Sequence, residues 1–265
     1  MQMTKFCSAV LLAVLVGCAH HPKVENPIQP LEPSDFARDQ TARRAILASV
    51  SAKLKMGYEG KKQSVSGKGR LVGNYPGNFR LELRDPLGRL HFVFTQKGEN
   101  AVAYYPRNKQ AARETTSGKT YFKRVIGLGL AFSDLVSVSA GVLPASWQRV
   151  PLKSWEWDRS EGAFRGVLEK GGEKMAIWVD SANTAIQRME WQVDGQTVEV
   201  AFEDREPCCE SKAVFTLGYE VKWNIPDQST SVQVSWESLL KPNQEIPSSA
   251  FEFQPAPGDK VVDLK

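Results

Sequence analysis

The chain has 265 residues, 42% hydrophobic and 24% charged, with 20 Gly and 15 Pro. That balance is too apolar for a disordered chain and too polar for a multispanning membrane protein. Lys and Arg total 34 against 30 Asp and Glu, a formal charge of +4, without the concentrated basic stripe of a nucleic-acid binder. With three His and four Cys there are few ligands for metal or redox chemistry, and no cofactor or metal is expected.

Residues 1–18 read MQMTKFCSAVLLAVLVGC. Lys5 supplies a positive start and Phe6 to Val16 an apolar run. The run is shorter than the roughly 20 residues of a membrane-spanning helix, so a cleaved secretory signal is expected over residues 1–17. It ends in Leu15-Val16-Gly17-Cys18, which resembles the bacterial lipobox. That resemblance implies that the Cys18 thiol carries diacylglycerol and that the amino group freed by cleavage is acylated. A single acyl chain binds a bilayer only marginally, whereas several anchor it stably. Bacterial lipoproteins kept at the inner membrane often have Asp at the next position. Ala19 stands here, which by the same resemblance points to the outer membrane. Residues 18–33 contain Pro22, Pro27, Pro30 and Pro33 and read as an extended tether of about 3.1 Å per residue. His20 and His21 within it lack further ligands.

A single domain is expected over residues 34–265. Ser34 reads as an N-cap with Asp35 in the first turn, and an amphipathic helix is expected from Ser34 to about Lys55. Its apolar stripe is Ile46, Val50 and Leu54, with Arg43 and Arg44 off that face. Strict alternation then marks strands. Phe79, Leu81 and Leu83 face one way in Asn78–Arg84, and Leu90, Phe92 and Phe94 alternate with His91 and Val93. Further strands are expected at 65–72, 101–105, 154–157, 163–169, 174–179, 186–193, 197–203, 213–223, 231–235 and 251–253. Turn signals such as Gly171-Gly172 and Asp194-Gly195 separate them, which indicates an antiparallel sheet or barrel. The apolar stretch 121–144 interrupts the strands. Ser133-Asp134 looks like a helix start, and Gly141 and Pro144 look like stops.

Between two of the strands lies Asp85-Pro86-Leu87-Gly88. Asp at i, Pro at i+1 and Gly at i+3 fit a type I turn, which places Leu87 at a hairpin tip. There it either packs under a neighbouring loop or is presented to a membrane. Ser117-Gly118-Lys119-Thr120 echoes the end of a phosphate-binding loop, but Arg113 stands where that motif needs Gly. His91 falls on the polar side of its strand with no patterned nucleophile, so a catalytic triad is unsupported. For the adjacent Cys208 and Cys209, a vicinal bridge, an intermolecular bridge and free thiols all stay open. Trp155 and Trp157 share a face and could extend an apolar cavity.

The ordered set of lipobox, Pro-rich tether, helix, strands, apolar helical interruption ending Leu143-Pro144 and further strands resembles the lipoprotein-localisation family of LolA and LolB. The most specific local match is FRLELRDPLGRLHFVF at residues 79–94, and AFEFQPAPGDKVVDL at 250–264 resembles the ending of carrier-type members. The resemblance implies a mostly β (α+β) fold, an incomplete antiparallel β-barrel with α-helices covering a hydrophobic cavity. Ile46, Val50 and Leu54 are expected as its lid, and Phe79, Leu81, Leu83, Phe92 and Phe94 as its wall. Pro86, Leu87 and Gly88 would form a membrane-insertion loop. The function implied is non-enzymatic: a monomeric, outer-membrane-anchored receptor facing the periplasm. It would take acylated lipoprotein cargo from a LolA-like periplasmic carrier and insert it into the outer membrane. Binding of another lipid or hydrophobic ligand, and a structural scaffold of an envelope complex, are the alternatives.

Overall fold

The computed structural model describes residues 30–60, 63–203, 206–208, 215–217, 220–225, 230–239 and 245–265. The expected signal, Cys18, most of the tether and Cys209 lie outside them.

Helix α1 spans Pro33–Leu47. It begins one residue before the expected cap: Glu32 is the N-cap and Pro33 occupies the first turn, where its missing N–H costs nothing. Its buried stripe is Phe36, Gln40, Arg43 and Leu47, so Arg43, expected off the apolar face, is only 2% exposed. Arg43 is held there by an ion pair with Asp39. Gln40 stitches α1 to the loop after the third helix, donating to the Gly141 carbonyl (3.2 Å) and accepting from Leu143 N (2.9 Å).

The expected helix to Lys55 stops short, because Val50–Gly60 is strand β1. Val50 and Leu54 therefore belong to the sheet, not to a helical stripe. The side chain of Ile46, the third member of that stripe, is outside the described set. A spacing of four residues keeps side chains on one face in a helix and in a strand alike. The deciding signal is the continuation Leu54, Met56, Tyr58, which alternates with period two.

From β1 the chain meanders through β2 (Gln63–Asn74), β3 (Asn78–Arg84), β4 (Leu90–Lys97), β5 (Asn100–Tyr105) and β6 (Gln110–Glu114). Two helices follow, α2 (Lys119–Ile126) and α3 (Phe132–Ser139). The Ser117–Thr120 echo of a phosphate loop lies at the entry to α2. A second meander runs through β7 (Leu152–Asp158), β8 (Ala163–Lys170), β9 (Glu173–Val179), β10 (Ile186–Val193) and β11 (Gln196–Glu203). A small hairpin, β12 (Glu206–Cys208) with β13 (Phe215–Leu217), interrupts it before β14 (Glu220–Ile225) and β15 (Thr230–Leu239). The run expected as one strand over 213–223 thus holds β13 and the start of β14.

The two meanders join where β15 pairs antiparallel with β1, Met56 opposite Val234 and Tyr58 opposite Val232. The result is one curved, unclosed 14-stranded sheet, antiparallel except at one edge. At that edge β16 (Lys260–Asp263) lies parallel to β6 and covers its open hydrogen-bonding groups. The strand expected at 251–253 is absent: Ser248–Phe251 forms a 3-10 turn. From there the C-terminal segment crosses the outer face of the sheet, with Phe253 against Tyr104 at 4.8 Å. Trp155 and Trp157, which could have extended an apolar cavity, pack on Phe164 at 5.6 and 5.2 Å, and Trp155 also lines a groove between α1 and β7.

Candidate functional site

An apolar pocket of about 370 Å³ lies between the sheet and helices α2 and α3, within the roughly 300–1,000 Å³ of small-ligand sites. Period-two alternation builds its floor. Leu54, Met56 and Tyr58 come from β1, Leu81 and Leu83 from β3, and Val232, Val234 and Trp236 from β15. The roof is amphipathic: α2 lowers Tyr121, Phe122 and Ile126 onto the pocket, and α3 lowers Phe132, Leu135 and Val136.

Strand β2 explains why space is left. Its inward positions are Gly67, Gly69, Leu71 and Gly73, opposite Met56, Leu54, Ala52 and Val50 of β1. A Cβ on Gly69 would sit 2.7 Å from Leu83 Cδ2 and 2.8 Å from Leu54 Cδ1. Glycine in a strand interior marks such close approach, and here it lets neighbouring side chains lie across β2 instead of being met by one.

The roof is pinned rather than loose. The Trp236 indole donates to the Ser139 carbonyl (2.7 Å), the Trp223 indole to Ser139 Oγ (3.4 Å), and Tyr58 Oη to the Val125 carbonyl (3.1 Å). On α3, burial pushes the Asp134 carboxyl up to about 6, against the pull of Lys119.

The structure sorts the expected cavity residues. Leu54, Leu81, Leu83 and Phe92 line the pocket. Val50, Phe79 and Phe94 are in the filled core. Phe94 packs against Phe132 and Phe122 at 4.7 and 5.1 Å, and Phe79 against Phe132 at 5.7 Å. The expected lid helix is replaced by α2 and α3.

The Asp85–Gly88 turn forms as its residue types dictate. Gly88 N donates to the Asp85 carbonyl (2.8 Å), Leu87 N to Asp85 Oδ1 (3.0 Å), and Gly88 takes φ +78°. Arg89 and Arg107 both pair with the Asp85 carboxylate. Leu87 does not pack under a neighbour: it is 75% exposed. The pocket reaches this same end of the sheet, where exposed Asn108, next to Arg107, lines its rim.

His91 was expected on the polar face but lines the pocket. The cause is a β-bulge. Leu83 pairs with Phe92 and Arg84 with Leu90, which leaves His91 as the extra residue, and a bulge re-aims side chains in this way. Nothing in the alternating pattern signals it.

A second, more polar groove of about 630 Å³ runs between α1 and β7. Among the described residues, no group of three or more His, Cys, Asp or Glu could hold a metal ion, and no helix is long and apolar enough to cross a membrane.

No protein-family model and no curated protein matches the chain. Solved structures do. A DUF1329 family protein from Desulfovibrio piger aligns with a TM-score of 0.57 at 11% identity, covering 83% of this chain and 96% of its own. A LolA superfamily protein from Nitrosomonas europaea gives 0.56 at 10% identity, over 84% and 99% of the two chains. A domain assigned to outer membrane lipoprotein sorting from Vibrio parahaemolyticus gives 0.56 at 14%, over 81% and 95%. The open barrel with covering helices is thus a LolA/LolB-like fold. At these identities the likeness concerns architecture.

Proposed function

We propose that this protein is an outer-membrane-anchored lipoprotein, lipidated on Cys18 and facing the periplasm as a monomer. In this reading it receives acylated lipoproteins from a LolA-like carrier and inserts them into the outer membrane. The observation that carries the reading is the apolar pocket under α2 and α3, which reaches the end of the sheet where Leu87 protrudes. The open volume favours this reading over an inert scaffold, whose interior would be filled.

No bond changes in such a transfer. Acyl chains move if their burial improves from carrier to receptor to bilayer, and a step of about 1.4 kcal/mol is tenfold in equilibrium. Leu87 dips into the inner face of the membrane beside the pocket rim, and the chains leave there. Names among the structural neighbours, a LolA superfamily protein and a lipoprotein-sorting domain, are consistent with this reading.

The test is transfer from a carrier loaded with an acylated lipoprotein, through this protein, to liposomes. Wild type should take up cargo and deliver it. Leu87→Glu should take up cargo and fail to deliver it. Equal delivery by both removes Leu87 from the mechanism, and no uptake by wild type overturns the reading.

A further inference from the structure

The pocket lining is mainly apolar, and of its polar members the Tyr58 hydroxyl and the Ser139 carbonyl are already partnered; His91 is not. The Nδ1 atom of His91 is buried there without a hydrogen-bond partner among the described residues. On the same lining, the Tyr105 and Tyr121 hydroxyls bond to each other. In that pair one O–H donates to the other oxygen, so the second hydrogen has no acceptor in the pair. Burial, the larger influence on both phenols, raises their pKa values, well above the ordinary range for Tyr121, so both hydroxyls keep their hydrogens.

Unpaired polar groups in an apolar wall are costly, on the order of 1–3 kcal/mol each, unless a ligand completes them. His91 adjoins Phe92, whose ring packs against Tyr105 at 5.2 Å and Tyr121 at 6.2 Å, and Tyr105 stands three residues before the exposed Asn108 of the rim. A pure hydrocarbon ligand would leave them unsatisfied. An acyl chain would not: its carbonyl accepts from the spare phenolic O–H and from imidazole Nδ1–H, and an amide N–H can instead donate to unprotonated Nδ1.

We propose that His91 and the Tyr105–Tyr121 pair form a polar subsite at the pocket rim. It holds the ester or amide carbonyl of an acyl chain whose tail lies beneath α2 and α3. The subsite rests on the reading of the pocket as an acyl-chain site and adds a direction to it: the chain enters tail first and its head stays at the rim near Leu87. The bulge at His91 is then the device that turns an outward residue into a head-group anchor.

Displacement of a bound fluorescent apolar probe from the purified protein, by methyl decanoate and by undecane, tests this. His91→Leu should weaken methyl decanoate by about tenfold, the loss of one hydrogen bond in an apolar site, and leave undecane within about twofold. Replacing both phenols, Tyr105→Phe with Tyr121→Phe, is close to isosteric, removes the spare O–H whichever ring carries it, and should weaken the ester by about fivefold with the same indifference to the alkane. It carries the test alone if the His91 variant fails to fold. Equal loss for both probes, or no loss for the ester, overturns the subsite and leaves the acyl-chain pocket standing. If wild type binds neither probe, the pocket reading falls and the subsite falls with it.

Discussion

The two halves of this sheet use the same alternating pattern and end differently. In the second meander, Met175, Ile177 and Val179 on β9 face the interior, with Met189 and Trp191 opposite on β10. Trp147 closes on Trp191 edge-on at 6.3 Å, and the interior between β9 and β10 is filled, the groove beside β7 lying on its α1 side. In the first meander, β2 offers Gly67 and Gly69 at the corresponding inward positions, and the space above β1 and β3 and the adjoining β14 and β15 is open, whereas at Gly73 the Phe79 ring takes the place of a side chain. Both halves are built from the same alternating strands. The volume of side chain on one strand separates a core from a pocket.

The strongest way to break this comparison is to truncate on the filled side. Ile177 is fully buried, opposite Met189, and Ile177→Ala should cost about 2–5 kcal/mol through lost burial and an added void. Leu83, at the edge of the pocket and half-buried, already faces open space, so Leu83→Ala should cost less than about 1.5 kcal/mol. Urea unfolding of both variants gives the difference. Equal losses would mean that the pocket side is as tightly packed as the other.

A second contrast is electrostatic. Burial lifts Asp134 on the roof helix to about 6. On the filled side, Asp158 is held down at about 2 by hydrogen bonds from Ser160 Oγ and the Trp178 indole, with backbone N–H groups adding. The signs oppose. A raised carboxyl pKa means that the folded state holds its proton more tightly, so the Asp134 contribution is present below the unfolded value near 4 and is lost as pH rises through about 6. The depressed Asp158 contributes above that value, and its share is lost as pH falls toward about 2. Asp134→Asn should therefore gain about 1–3 kcal/mol at pH near 7 and almost nothing at pH near 4. Paired urea midpoints check this. A gain independent of pH would show that charge is not the cause. Asp158→Asn should lose its effect only in acid.

Much of this was legible in advance, for reasons particular to each element. Strand β10 and the Asp85–Gly88 turn depend on local pattern and local bonding, and both appear where the residues place them. The spacing of Val50 and Leu54 fits both periods, so it points to helix as readily as to the strand that forms. Strand β6, with its run of small Ala residues, and β16, paired only at an edge, were missed because neither carries a clear alternation of its own. The wall was half legible: Leu81 and Leu83 could be assigned to the inner face. Whether a residue such as Phe79 lines a space or fills one depends on the roof above it. His91 was illegible because a bulge breaks the alternation used to read it. The row of glycines on β2 was the available sign of the pocket.

That row supplies the finest test, a matched pair of glycines. At Gly69 an added Cβ would meet the tips of Leu83 and Leu54 at 2.7 and 2.8 Å. Both are flexible ends with the pocket to move into, whereas the Glu82 carbonyl oxygen, 3.2 Å away on β3, is backbone and must give by a few tenths of an ångström. At Gly166 on β8 it would meet Leu152 Cδ2 at 2.9 Å and the Trp155 ring at 3.0 Å, and that ring is stacked on Phe164 within 9° of parallel. A stacked indole cannot step aside without losing its partner. Gly69→Ala should therefore cost less than about 1 kcal/mol, since the strain of moving two methyl groups and easing the Glu82 carbonyl is partly offset by the lower chain entropy of Ala. It should still weaken methyl decanoate and undecane alike, because the displaced leucines take up ligand volume. Gly166→Ala should lose about 1 kcal/mol or more and leave both probes unaffected. If both substitutions destabilise equally and neither alters probe binding, the glycines of β2 are not what keeps the pocket open, and its space must come from the placement of α2 and α3 alone.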